Sequence, residues 1–318
     1  MKNFPDRIFY LIGLAALFCF GVSLFVLPSQ NELVPQIYPQ PNLAKEVVLD
    51  LPTPAPYPVP KADLAEPILT ATAAAIFDRQ SGVFLFKKNH RTKLLPASTV
   101  KMMTAVVSLK LYSPLDVLMV PKVSYEGQDM GLVEGELITV EALLYGLLVS
   151  SGNDAGQVLA KNHPGGEAKF IEVMNEEARN LHLEDTYFAN TTGLENREQA
   201  SLTSARDLAW LADEALKNDI FARIVSTKEI ILRDPQKHFY HPLYNLNQLL
   251  WVMPEVKGIK TGWTENAGEC LVIFIERDSR ELIVVVLGSQ DRFGESRRLI
   301  EWAFANFEWQ ELAPRSTH

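Results

Sequence analysis

Hydrophobic and polar positions divide the chain into three stretches. From Phe9 to Leu27 nineteen consecutive residues carry no charge, and most are Leu, Phe, Ala, Ile or Val. At 1.5 Å per residue they make about 28 Å of helix, close to a bilayer core. From Pro28 to Pro67 the periodicity lapses and ten of the nineteen prolines gather. The run Pro52, Pro54, Pro56, Pro58, Pro60 is expected to favour polyproline II over helix or ladder. At about 3.1 Å per residue this spacer would reach at most roughly 120 Å, although apolar Val47, Val48, Leu49 and Leu51 leave open a strap lying on the folded part. From Ile68 onward the pattern becomes globular. Ala74 to Asp78 and Val83 to Lys88 flank turn residues Arg79 to Gly82, and Glu269 to Glu276 and Glu281 to Leu287 flank Arg277 to Arg280, so each pair predicts a hairpin. Between them Lys101–Leu111, Thr139–Val149, Glu167–Leu181 and Ser204–Lys217 carry apolar residues at helical spacing, and Gly294–Phe307 predicts a closing helix. Strands at both ends with helices between predict an α+β fold, one antiparallel sheet built from both ends of the chain with helices on its faces. The expected domains are an anchor over residues 1–28, a Pro-rich linker over 29–67 and a globular domain over 68–318.

The first stretch is expected to be a retained transmembrane anchor. Secretory signal cores are shorter and end in a small-x-small site, whereas this one ends Leu24, Phe25, Val26, Leu27, Pro28. Lys2 and Arg7 precede it and no Lys or Arg follows until Lys45. The positive-inside rule then puts the N-terminus in the cytoplasm and the globular domain outside. Phe18 is too bulky to precede a lipidated cysteine, so Cys19 is expected to lie in the membrane. Composition narrows the rest. Of 318 residues, 47% are hydrophobic and 22% charged, which excludes wholesale disorder. The net charge of −9 argues against a nucleic-acid partner. Two cysteines are too few for a disulfide framework or a cysteine-rich metal site.

Three short motifs stand in order along the domain. In Ser98-Thr99-Val100-Lys101 the serine lies near a predicted helix start and the lysine one turn later on the same face, which brings an amine within reach of a hydroxyl. A serine attacks a carbonyl only if a base takes its proton, and a lysine can be that base if burial or a nearby cation depresses its pKa. Alone, the pattern reads more readily as a cap serine followed by a surface lysine. Ser151-Gly152-Asn153 follows an apolar run and offers a hydroxyl and a carboxamide on a tight loop, though these are also ordinary turn residues. Lys260-Thr261-Gly262 offers a cation and a hydroxyl at a strand edge that can hold a carboxylate, with Gly leaving room for substrate against the backbone. The ordered set of three is the signal.

That set resembles the active-site signature of the penicillin-recognising serine enzymes with SxxK, SxN and KTG motifs. Phe170–Leu194, Ser201–Leu208, Asn245–Leu250, Val256–Cys270 and Gly288–Phe304, with Arg292 and Trp302, resemble one branch, the low-molecular-mass D-alanyl-D-alanine carboxypeptidases and endopeptidases. The likeness covers roughly Ile68 to Phe307. It implies a β-lactamase/transpeptidase-like fold and a serine DD-peptidase acting on the D-Ala-D-Ala end of peptidoglycan stem peptides, with β-lactams as covalent inhibitors. Ser98 would be the acylated nucleophile and Lys101 its base. Ser151 and Asn153 would complete the proton network and the substrate contact, Lys260 and Thr261 would hold the terminal carboxylate, and substrate would lie against Gly262. The backbone N–H groups of Ser98 and Trp263 would form the oxyanion hole. Two departures from the branch stand out: Trp263 replaces a frequent His, and Leu246 lies where some relatives carry an Arg. No second β-rich domain or amphipathic tail is expected after Phe307, so the N-terminal helix would do the anchoring.

Two other readings of the same nucleophile are weaker. A β-lactamase needs a carboxylate to activate the deacylating water, and the interval after the second motif offers only Glu176, Glu177, Ala178, Arg179, Asn180, a charged helix face. A non-catalytic β-lactam sensor would need signalling machinery across the membrane, and only about eight residues precede the span. Neither cofactor nor metal is expected. His238 and His241 are three apart, but Phe239, Tyr240 and nearby prolines suggest a loop, and no His-Glu-x-x-His occurs. Carboxypeptidase and endopeptidase share the acylation step, so the motifs do not separate them.

Overall fold

The computed structural model describes residues 56–311 except 62–64, 125, 196–199 and 237. The chain divides into two units, Met1–Pro52 and Thr53–His318, and all described residues belong to the second. The expected membrane span and most of the linker lie outside the described residues. Among the described residues, no helix is long and apolar enough to cross a membrane.

In chain order, strands β1 (Tyr57–Pro60), β2 (Ala73–Asp78) and β3 (Val83–Lys88) precede a 3-10 turn at Ala97–Val100 and helix α1 (Lys101–Leu111). Strands β4 (Val117–Met119) and β5 (Leu137–Thr139) lead to helices α2 (Val140–Leu148), α3 (Asn153–Lys161), α4 (Gly166–Asn180), α5 (Ala205–Ala215) and α6 (Asp219–Val225). Then come β6 (Glu229–Arg233), β7 (Tyr240–Tyr244), α7 (Gln248–Val252), β8 (Val256–Thr264), β9 (Gly268–Arg277), β10 (Arg280–Ser289), α8 (Arg292–Asn306) and β11 (Phe307–Gln310).

The main sheet has the order β3-β2-β10-β9-β8, all neighbours antiparallel, so the expected α+β sheet with strands from both ends of the chain is present. Side chains alternate between its faces. Ala73, Ala75, Phe77, Val272, Ile283 and Val285 face the helical middle. Ala74, Ile76, Ile273, Val284 and Val286 face Leu299, Ile300 and Ala303 of α8. Helix α1 lies in the first core with every residue from Lys101 to Ser108 buried, which explains why apolar residues surround it. Its polar members bond inside the protein: Ser108 Oγ donates to Thr104 O (2.8 Å) and Thr104 Oγ1 to Thr191 O (2.8 Å). Caps fix where helices begin, with Thr139 accepting from Ala142 N for α2, Ser204 from Asp207 N for α5 and Asp291 from Gly294 N for α8.

Two expectations need correction. The end of the proline run does form a ladder, since Tyr57–Pro60 pairs antiparallel with Phe307–Gln310. A two-stranded ribbon gives each strand one free edge, where residues without an N–H cost nothing, and Tyr57 and Val59 between the prolines keep theirs. Lys61 extends the attachment, its N–H and its ammonium donating to Asn306 O (2.9 Å) and Ala305 O (3.1 Å). His241, expected in a loop, lies within β7 and is buried. Its Nε2 is 2.7 Å from Glu136 Oε1 and its Nδ1 3.0 Å from Met130 O.

Candidate active site

The Ser98–Lys101 motif sits where the 3-10 turn runs into α1, against Gly262 of β8. Ser98 is half-buried in that turn and Lys101 is the first residue of α1, fully buried. Lys101 Nζ lies 2.9 Å from Ser98 Oγ, 3.3 Å from Ser151 Oγ and 2.6 Å from Asn153 Oδ1. Burial pushes the Lys101 amine well below its ordinary range; the cation of Lys260 adds to this, while Asp154 pulls the other way. A neutral Nζ has two N–H groups and one lone pair. Asn153 Oδ1 can only accept and takes an N–H, which leaves the lone pair for the Ser98 hydroxyl.

Backbone in uncommon conformations surrounds this contact. Ala97 (φ 47) and Ser151 (φ 64) both occupy the left-handed region, which non-glycine residues enter only when their surroundings hold them there. The hold at Ser151 is visible: Gly152 N donates to Gly146 O (2.8 Å) and Asn153 N to Gln128 O (2.7 Å). At Ala97 it comes from Gly193 (φ 84), where a Cβ would stand 1.9 Å from Ala97 O. Only glycine allows the Thr191–Gly193 loop to lie that close to the turn that carries Ser98.

Lys260, Thr261, Gly262 and Trp263 lie in β8, the edge strand, rather than in a turn before it. Backbone groups on its outer side have no partner in the sheet, and Thr261, Gly262 and Trp263 line the cleft. A Cβ on Gly262 would lie 3.0 Å from Ser98 N, so the two segments meet through that glycine. Lys260 is buried and donates to Thr261 O (2.9 Å). Burial, helped by the Arg292 cation, lowers it to about 7.

The cleft between these segments has a volume of about 490 Å³. Ser98, Ser151, Thr261, Gly262 and Trp263 line it, so five of the eight residues expected from sequence are on its wall. Lys101, Asn153 and Lys260 lie behind it, each under 3% exposed. Asn153 is committed on both sides, since its Nδ2 donates to Glu126 O (2.7 Å). Trp263 is 62% exposed at the rim, near Leu246.

Sequence reasoning missed several contributors. Arg292, at the start of α8, lines the cleft and donates through Nη1 to Gly262 O (2.7 Å), while its buried Nε has no partner among the described residues. It lies in a segment that resembles the DD-peptidases, but no motif gave it a role. Gln128 and Glu269 also line the wall. Asp154, buried next to Asn153, accepts from Met130 N (3.0 Å) and Leu132 N (3.1 Å) and so holds the loop that carries Gln128. Among the described residues, no group of three or more His, Cys, Asp or Glu could hold a metal ion.

Comparison with known proteins agrees with this geometry. A family model described as D-alanyl-D-alanine carboxypeptidase matches residues 61–291. The chain is 33% identical over 257 residues to the D-alanyl-D-alanine carboxypeptidase DacF of Bacillus subtilis, covering 77% of this chain and 65% of that one. To a D-alanyl-D-alanine endopeptidase of Pseudomonas aeruginosa it is 30% identical over 262 residues, covering 77% and 81%. The chain thus spans about two thirds of the length of the curated carboxypeptidases it matches. The crystal structure of the Streptomyces K15 DD-transpeptidase superposes with a TM-score of 0.71 at 29% identity, covering 76% of this chain and 100% of that one. With a family match over most of its length and a shared fold, this chain belongs to the D-alanyl-D-alanine carboxypeptidase family of peptidases.

Proposed function

We propose that the protein is a serine DD-peptidase that acts on the D-Ala-D-Ala end of peptidoglycan stem peptides through an ester on Ser98. One observation carries the reading: a buried amine, depressed by its surroundings, stands 2.9 Å from a cleft-facing hydroxyl. Lys101 takes the Ser98 proton as Oγ attacks the penultimate D-Ala carbonyl. The developing oxyanion is met by the N–H groups of Ser98 and Trp263, each such donor being worth about 3 to 4 kcal/mol in a well-studied analogue. Ser151 relays the proton to the departing amine, the amide bond breaks, and water then hydrolyses the ester to restore Ser98. Asn153 steadies Lys101, and it contacts substrate if its Nδ2 exchanges the Glu126 carbonyl for one on the peptide.

The terminal carboxylate belongs beside Thr261, Lys260 and Arg292, whose unpaired Nε supplies the charge that Leu246 does not. A carboxylate there favours the protonated form of Lys260.

The leading outcome is D-alanyl-D-alanine carboxypeptidase activity, with the domain held outside the cytoplasmic membrane by residues 1–28 and β-lactams acylating Ser98. A second outcome, endopeptidase cleavage of cross-links, shares every step up to the leaving amine. Digestion of a synthetic pentapeptide and of purified peptidoglycan, with Ser98→Ala as control and fluorescent penicillin as label, tests the reading. Release of D-Ala and a label on Ser98 are expected. Equal turnover by Ser98→Ala, or a folded wild-type protein that takes no label, overturns it.

A further inference from the structure

Glu269 stands in the wall of the cleft and takes no part in the acylation chemistry described above. Its Cα partner across the β8–β9 ladder is Trp263. Residues directly opposite one another in an antiparallel pair share a face of the sheet, with Cβ atoms about 5 Å apart. Two residues along on that face come Thr261 and its partner Leu271, and Leu271 belongs to the core that α8 covers. Thr261, Trp263 and Glu269 therefore lie on the α8 side of the edge strand. Arg292 joins them from the start of the helix, its backbone N–H donating to Glu269 Oε2 (2.8 Å) and its Nη1 to Gly262 O (2.7 Å). Among the described residues, Glu269 Oε1 accepts no bond and no ring or cation contact engages the exposed indole of Trp263.

An indole beside a free carboxylate oxygen suits a cation, because the ring offers its negative face and the carboxylate a full charge. The balance of charge asks for one as well. Burial lowers the pKa of the Arg292 guanidinium and the Glu269 carboxylate pulls it back up, so these two side chains already act on each other. A terminal carboxylate bound beside Thr261 and Arg292 has to share that guanidinium with Glu269. A substrate that brings its own ammonium restores the balance. We propose that Trp263 and Glu269 form a subsite for an ammonium on the side chain of the last residue of the stem peptide, so that the protein releases a basic C-terminal D-amino acid in preference to an uncharged one of the same size. The inference rests on the acylation reading above. The side chain in question leaves the same Cα as the carboxylate beside Arg292, which assigns the cation to the last residue of the peptide and not to the third. In the reaction the amide between the penultimate D-Ala carbonyl and the amine of the basic residue breaks and the Ser98 ester forms. The amine leaves with the proton relayed through Lys101 and Ser151, and water hydrolyses the ester to a carboxylate and free Ser98.

The test gives the full-length protein pentapeptides that end in D-Ala, D-Lys or D-norleucine, each made with lysine and with norleucine as third residue. D-Norleucine matches the D-Lys chain without its ammonium. The wild type should show a kcat/KM about tenfold higher for the D-Lys peptide than for the D-norleucine peptide, equivalent to about 1.4 kcal/mol, whichever residue stands third. Glu269→Gln keeps an oxygen to accept from Arg292 N and removes only the charge. It should erase the preference for D-Lys and lower KM for the D-Ala peptide, while Trp263→Leu should reduce the preference about threefold. A thermal melt and penicillin labelling of Ser98 report that each variant is folded. The inference is overturned if the wild type turns over the D-Ala peptide but shows no preference for D-Lys over D-norleucine, if the preference follows the third residue, or if Glu269→Gln retains it, as a carboxylate that only holds the start of α8 would require. A folded wild type that neither releases D-Ala nor takes the label refutes the acylation reading, and the subsite falls with it.

Discussion

Gly262→Ala places one methyl group at the tightest junction of the site. A Cβ there would meet Ser98 N at 3.0 Å, Ala97 Cβ at 3.1 Å and Pro96 O at 3.1 Å, all inside the 3.4 Å at which ordinary contact begins. Two of these atoms are backbone. The turn that carries them has no slack toward Gly193, where a Cβ would already stand 1.9 Å from Ala97 O. Each contact must therefore open by a few tenths of an ångström through a shift of β8 against the turn. Overpacking of this kind costs about 1 to 3 kcal/mol, a fall in Tm of about 3 to 10 °C for a domain of this size. The shift also moves the Ser98 N–H away from the developing oxyanion, and loss of one such donor lowers the rate by about 10² to 10³. Stopped-flow acylation by fluorescent penicillin and a thermal melt measure the two effects separately. An acylation rate within about twofold of the parent would refute both the assignment of that N–H and the claim that the turn has no slack.

Two further substitutions probe the charges behind the cleft. Lys260→Met removes a buried cation whose pKa is lowered to about 7, and is expected to stabilise the fold while raising KM for the pentapeptide. Below about pH 7 the folded wild type bears the full cost of burying that charge; the cost fades as pH rises from 7 toward the unfolded value of 10.5, so the stability gap between variant and parent should narrow over that window. A gap that widens with pH would contradict the assignment. His241→Ala leaves Glu136 Oε1 and the Met130 carbonyl without their partner inside the protein, at a cost of about 3 kcal/mol, and loosens the loop that carries Gln128. A melt at the parental Tm would show that the pair contributes nothing.

The parts of the fold that could be read in the sequence are those where one pattern dominates. The two hairpins follow from β-branched and apolar runs around short polar turns, and α1 from apolar residues at helical spacing; its observed range, Lys101–Leu111, is the expected one. The Ser98 hydroxyl, the Lys101 amine and the edge-strand motif stood out as candidates because their chemistry depends on residue type at short range. Elements set by tertiary contacts were hidden. Helix α3 starts on Ser-Gly-Asn turn residues and holds Gly156, so its local signal is that of a loop. The β6–β7 hairpin contains Pro242, and β1 alternates proline with other residues; both exist because a partner strand supplies the bonds. Arg292 and Asp154 act across the molecule, Arg292 on Gly262 and Asp154 on Met130, and nothing near them in the chain announces it.

The ribbon of β1 and β11 has a mechanical consequence. Its register ties Tyr57 to Gln310 and Pro60 to Phe307, and Trp309 Nε1 bonds Asp78 Oδ2 (2.6 Å), so the first and last described strands are clasped to each other and to the sheet. Phe307 belongs to the core on the α8 face, whereas Ala97 and Val100 belong to the opposite one. Tension entering along the chain ahead of Tyr57 would be taken up by unzipping this clasp, on the far side of the sheet from the turn that carries Ser98. A tug from a tether would spend itself there before it could shift the 2.9 Å spacing between Ser98 and Lys101.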